Sequence, residues 1–142
     1  MGDTCHGMHY CLFFTSQAFG RTINRLAEEE FAPTGLAPSQ TYLLMLVIDT
    51  PGITQKQLGV DMQLAPSTIT RFIDAFVRKG LVTKEAEGKL VRVTATKTGA
   101  AMQKTINQVW ANLYQRYSGA LGKDVGDDLA IRLDKAAKTL ES

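Results

Sequence analysis

The chain has little of what most enzymes and membrane proteins require. It contains two histidines, two cysteines and one tryptophan in 142 residues. There is no glycine-rich phosphate loop, no HExxH helix, no nucleophile elbow and no carboxylate pair at a defined spacing. Both histidines, His6 and His9, lie near the start, so general acid–base chemistry has few candidates and an enzyme is not expected. No apolar run reaches the roughly 18 residues of a membrane-spanning helix. The first twenty residues lack the basic start and apolar stretch of a secretory leader. A cytoplasmic protein with no membrane contact is expected, and Cys5 and Cys11 are expected there as thiols rather than a structural disulfide. Repeats, low-complexity stretches and linkers are also missing. What remains is one domain of ordinary globular composition, 44% hydrophobic and 21% charged.

Charge is unevenly placed. Residues 54–97 carry Lys56, Arg71, Arg78, Lys79, Lys84, Lys89, Arg92 and Lys97 against Asp61, Asp74, Glu85 and Glu87. That local excess of +4 within a net +2 leaves −2 for the rest of the chain. A basic middle between neutral-to-acidic ends suits a protein that grips a polyanion with one region, although a solvated charge bias would look similar.

The apolar periodicity is helical almost throughout. Leu12, Phe19, Ile23, Leu26 and Ala27 place one stripe on a helix from about His9 to Phe31. Glu28, Glu29 and Glu30 oppose its dipole, which suits an exposed or partner-facing end. After Pro33, Gly35 and Pro38, Ser39 reads as the N-cap of a buried second helix, Gln40 to Asp49. Thr54 caps a short third helix, Gln55 to Met62. Pro66 opens a fourth, which runs to Lys79 and stops at Gly80. Residues 81–86 and 89–95 read as a hairpin with Glu87 and Gly88 at the turn. A long helix follows from Thr96 or Thr98 to about Tyr117, and a last one from about Asp124 to Leu140.

The fourth helix is the most informative segment. Ile69, Phe72, Ile73, Phe76 and Val77 form an unbroken core-facing stripe. Ser67, Thr68, Thr70, Arg71, Asp74 and Arg78 occupy the other side. Small hydroxyl residues at a helix start approach phosphates and base edges closely, and an Arg one turn on can reach a guanine edge with two donors. A short helix before it and a Lys/Arg-rich hairpin behind it complete a helix-turn-helix with a wing. Taken alone, the polar face would equally suit mere surface packing. The combination points to a mainly α, winged helix-turn-helix protein.

Three stretches in this order resemble the MarR family of bacterial transcriptional regulators: LAPSQTYLLMLV in the second helix, ITQKQLGVDMQLAPSTITRFIDAFVRKGLV across the two DNA-reading helices, and LVRVTATKTG from the wing onward. The resemblance spans nearly the whole chain. It implies a DNA-binding lobe at 36–96 and dimerisation helices at 9–35 and 97–142. It further implies a homodimer that reads a pseudo-palindromic operator in double-stranded DNA and is released by a small molecule or an oxidant. On the matching positions, Ser67, Thr68, Thr70 and Arg71 would face the major groove, and Gln55 and Lys56 would approach phosphate. Lys89, with Lys84 and Arg92 as lesser candidates, would give the wing its positive charge. Two departures stand out. The wing tip EAEGK lacks the Asp and Arg that the family usually places there, and Ala65 replaces a polar N-cap, a loss of about 1 kcal/mol partly offset by Pro66. A helical interaction module of the same fold that has lost DNA reading is the alternative.

The input is less defined. Cys5, His6, His9 and Cys11 form a chemically legitimate zinc set, but their spacing fits no standard site, so neither a metal nor any other cofactor is expected. Cys11, near the start of the first helix, reads first as a small packing residue and second as a sensing thiol. The family's organic-hydroperoxide-sensing branch uses a cysteine in this part of the helix, yet alignment on INRL places it at Phe13. Cys11, Phe14, Tyr42, Met45, Leu46 and Trp110 would line an effector pocket for a small apolar or phenolic molecule, or simply fill the core.

Overall fold

The structure, a computed structural model, describes Gly7 and residues 9–142, so Cys5 and His6 lie outside the described residues. Among the described residues seven α-helices and three strands follow in order: α1 (Leu12–Phe31), a 3-10 turn (Ala32–Thr34), α2 (Pro38–Asp49), β1 (Ile53–Thr54), α3 (Gln55–Met62), α4 (Pro66–Arg78), β2 (Val82–Glu87), β3 (Leu90–Ala95), α5 (Lys97–Ala101), α6 (Gln103–Leu121) and α7 (Lys123–Glu141). The sheet is antiparallel in the order β1-β3-β2, with Ile53 opposite Val93 and Lys84 opposite Val93 on its other side. This is a mainly α winged helix fold, as the residue patterns predict.

Several boundaries move, each for a local reason. α1 begins at Leu12 because Cys11 is its extended N-cap residue. α2 starts at Pro38, not Gln40. Ala37 rather than Ser39 is its cap position, and Gln40 Oε1 accepts from the Ala37 N–H at 2.9 Å. The hairpin turn is Gly88–Lys89, one residue later than expected, with Glu87 paired to Leu90 and Gly88 at φ +62°. The long helix after the wing divides at Met102, whose N–H bonds back three residues to the Gly99 carbonyl at 3.1 Å. Cys11 is buried and disulfide-bonded, which corrects the expectation of a thiol there.

Two apolar cores hold these elements. The larger contains Leu43, Leu44 and Val47 of α2, Leu58 of α3, Ile69, Ile73 and Phe76 of α4, Val82 and Val93 of the wing, and Ile106 of α6. Full burial of each large aliphatic or aromatic side chain stabilises by roughly 1.5–3 kcal/mol. Thr41 is the polar residue buried among them, and its hydroxyl donates to the Pro38 carbonyl at 2.6 Å. The smaller core is Ala27, Phe31, Val109 and Leu113, between α1 and α6. Trp110 touches both cores and meets Phe31 edge-on, with ring centroids 4.6 Å apart.

The two parts meet at a close join. Thr96 caps α5, accepting from the Gly99 N–H at 3.0 Å, while its hydroxyl donates to the Gly80 carbonyl at 2.6 Å. Gly99 is buried, and a Cβ there would collide with the Leu81 carbonyl. Among the described residues no single helix is long and apolar enough to cross a membrane.

Candidate nucleic-acid interface

Helix α4 forms because one of its faces has somewhere to go. Ile69, Ile73 and Phe76 are wholly buried, Phe72 is half-buried, and Val77 lies at the edge of the stripe. Pro66 occupies its first turn and has no N–H, and Ala65 supplies no side-chain cap. The Thr68 amide donates to the Ala65 carbonyl at 3.0 Å, so the Ser67 amide is the one left open at this positive end. Opposite the buried stripe, Ser67, Thr70 and Arg71 are exposed and Thr68 is half-buried. These are the four residues expected to face a groove, and the structure sets three of them on open surface.

Their side chains differ in freedom. Ser67 makes no side-chain hydrogen bond among the described residues. Thr70 donates to the Pro66 carbonyl at 3.0 Å and accepts from Gln55 Nε2 at 3.4 Å, which directs its hydroxyl inward. The Arg71 guanidinium lies 5.9 Å from the Phe72 ring centre, a contact that leaves all its donors available.

Helix α3 presents α4. Thr54 caps it by accepting from the Gln57 N–H at 3.1 Å. The connecting turn passes through Gln63, the only non-glycine residue with positive φ (54°) among the described residues. Gly59 lets α3 approach that turn, because a Cβ there would sit 3.3 Å from the Leu64 carbonyl oxygen. Gln55 lies in the seam between the two helices, its Oε1 buried and without a partner among the described residues. It therefore braces the helix pair, whereas the neighbouring Lys56 is exposed. A groove of about 400 Å³ runs along this seam past Lys56, Val60, Pro66 and Thr70.

The wing's cations divide in the same way. Lys84 Nζ donates to Asp74 Oδ1 of α4 at 2.6 Å. Arg92 Nε donates to Glu87 Oε2 at 2.6 Å, and its Nη1 to the Gly52 carbonyl at 3.1 Å. Lys89, in the turn itself, is exposed and forms no ion pair among the described residues. Spacing along the chain carries no trace of these pairings, since each joins residues on different elements.

The expected effector residues scatter. Met45, Leu46 and Trp110 pack against the larger core, Tyr42 is half exposed, and Phe14 packs edge-on with Phe13 on an open surface. Apolar grooves lie instead between α1 and α7. One of about 490 Å³ is lined by Leu12, Phe19, Leu129 and Leu133, and one of about 180 Å³ by Phe19, Ile23, Tyr117 and Leu129. No group of three or more candidate metal ligands occurs among the described residues.

Residues 36–87 match the sequence model of the MarR family. Solved structures with the same fold include CouR from Rhodococcus jostii RHA1 bound to p-coumaroyl-CoA, at 20% identity and a TM-score of 0.79, covering 93% of this chain and 95% of that one. The S. aureus MepR–DNA complex shares 12% identity at a TM-score of 0.79, covering 92% and 98%. A mutant MarR from E. coli complexed with operator DNA shares 24% identity at a TM-score of 0.78, covering 88% and 92%. No curated protein sequence matches the chain.

Proposed function

We propose that this chain is a sequence-specific DNA-binding transcriptional regulator acting as a homodimer, a reading supported by the match of residues 36–87 to the MarR family model and by the fold it shares with CouR, MepR and MarR. One α4 from each copy enters the major groove of a pseudo-palindromic operator. The observation that carries this reading is the exposed row of Ser67, Thr70 and Arg71 on a helix whose opposite face is locked into the core. Arg71 reads a base edge, Ser67 holds phosphate through its hydroxyl and amide, and Lys56 and Lys89 add sequence-independent charge. The dimer forms through the apolar surfaces of α1 and α7, where Leu12, Phe13, Val125, Ile131 and Leu140 are more than half exposed (64, 63, 58, 67 and 78%). A small apolar or phenolic effector that binds beside these helices releases the DNA; among the solved structures of this fold, CouR is bound to p-coumaroyl-CoA.

The test is a binding titration with a duplex selected from a random library, repeated over a salt series. Affinity should fall steeply with salt as counterions are released. Arg71→Ala should lose about 1–3 kcal/mol of discrimination at one base position, while Lys89→Ala should weaken all sequences alike and lower the salt slope by about 1. Absence of salt-dependent binding would overturn the reading. It would favour the alternative, a dimeric helical interaction module, which draws on the commitment of Lys84 and Arg92 to partners within the chain. Substituting Ser67 by Leu would then leave function intact.

A further inference from the structure

Asp74 is an odd residue on a helix face offered to a polyanion, because a carboxylate there repels phosphate. Its partner is in the wing. Lys84 donates to Asp74 at 2.6 Å, and the two side chains are 44% and 39% exposed. Pairing with β1, Ile53 opposite Val93 and Thr54 opposite Arg92, anchors the base of the hairpin. Strand β2 buries Val82 and nothing beyond it, and β3 buries only Val93, so the outer part of the hairpin has no core under it. In addition to that base, two polar side-chain ties join the hairpin to its surroundings. On one side Lys84 reaches α4. On the other, Arg92 bridges Glu87 of β2 and the Gly52 carbonyl just before β1.

We propose that Asp74 is a positioning residue for DNA binding: with Lys84 it latches the wing to the recognition helix and sets how far Lys89 stands from Ser67 and Arg71. The proposal rests on the DNA-binding reading above and sharpens it in two ways. Lys84 acts as a strut rather than a phosphate ligand, and an acidic residue on the reading helix favours binding despite its charge.

The two electrostatic readings differ in sign, which makes the test decisive. The full chain, its Asp74→Asn and Lys84→Met variants, the double variant and Lys84→Arg would be titrated with the library-selected duplex over a potassium chloride series. A surface ion pair present twice in a dimer sets a loss of about three- to ten-fold for either single variant. The double variant should bind no worse than the weaker single one, because both remove the same link. Lys84→Arg should retain binding, and the salt slope should stay that of the parent throughout. Tighter binding by Asp74→Asn would overturn the latch, as loss of a repelling carboxylate would produce it. So would a fall in slope of about 0.9 per site in Lys84→Met, the mark of a lost phosphate contact. Hydrogen exchange on the DNA-free protein separates this from failure of the wider reading. Amides of residues 84–92 should exchange faster in both single variants, and unchanged exchange overturns the latch whether or not any DNA binds.

Discussion

The lobe that carries α3, α4 and the wing buries its apolar residues within one chain, whereas the helices around it do not. In the lobe, three successive turns of α4 contribute Ile69, Ile73 and Phe76, none of them accessible. In the frame of α1, α6 and α7, four residues make the whole core, and α7 buries only Gly126. Yet α7 carries Val125, Ile131, Leu133 and Leu140 on its surface. A helix of 19 residues that buries so little within its own chain draws little stability from packing there. The contrast is one of closure: one region buries its apolar stripe within the chain, and the other leaves apolar side chains on its surface.

That contrast can be broken in measurable ways. The largest effect should come from Phe76→Ala, which opens a cavity in the finished core and costs about 3–5 kcal/mol in urea unfolding. Next, Ile131→Asn should leave the helical content of the chain unchanged but cost self-association about 1.5–3 kcal/mol per protomer. Sedimentation at several loading concentrations would show it, and unchanged association would mean that α7 is not the covered face. A smaller effect, opposite in sign, is expected at the turn between α3 and α4. Gln63→Gly should raise stability by about 0.5–1 kcal/mol, because glycine adopts the positive φ that glutamine holds under strain.

The smallest effect belongs to the frame's ion pairs. Arg116 of α6 meets Glu29 at 2.7 Å and Glu30 at 3.4 Å, neutralising the acidic end of α1. The Arg116 hydrogen bond holds the Glu29 carboxyl below its ordinary value of 4.5, against a lesser opposing effect of burial. A depressed carboxylate stabilises the fold above its ordinary pKa and loses that contribution as pH falls through the lowered one. Arg116→Gln should therefore lower the thermal midpoint slightly at neutral pH, and the difference from the parent should shrink as acid protonates Glu29.

How much of this was legible in the sequence also divides by region. The stripe of α4 could be read because burial on one face imposes a period, and Thr54 and Pro66 announced their helices through capping and ring geometry. Strand β1 could not, since Ile53 and Thr54 are too few to show any period and exist as a strand only by pairing with Val93 and Arg92. The division at Met102 was hidden because its surroundings favour helix throughout. It arises where Gly99 packs on Leu81, a contact between residues distant along the chain. On α4 and the wing the polar face was legible, but its partners were not. The acceptor for Lys84 is ten positions back and on another element, and nothing local selects Asp74 over Glu85 or Glu87. The glutamate run near the end of α1 looked unfavourable for the same reason, because its neutralising arginine lies 86 residues beyond Glu30.

The join at Gly99 has a consequence for how such a chain can vary. Elsewhere, the fit between two elements can be retuned by exchanging one side chain for another of different size. Here there is no side chain to exchange, because the space beside this α carbon is taken by another residue's carbonyl. Descendants of this sequence can change the side chains on either side of the join, but they inherit the join itself as a fixed part.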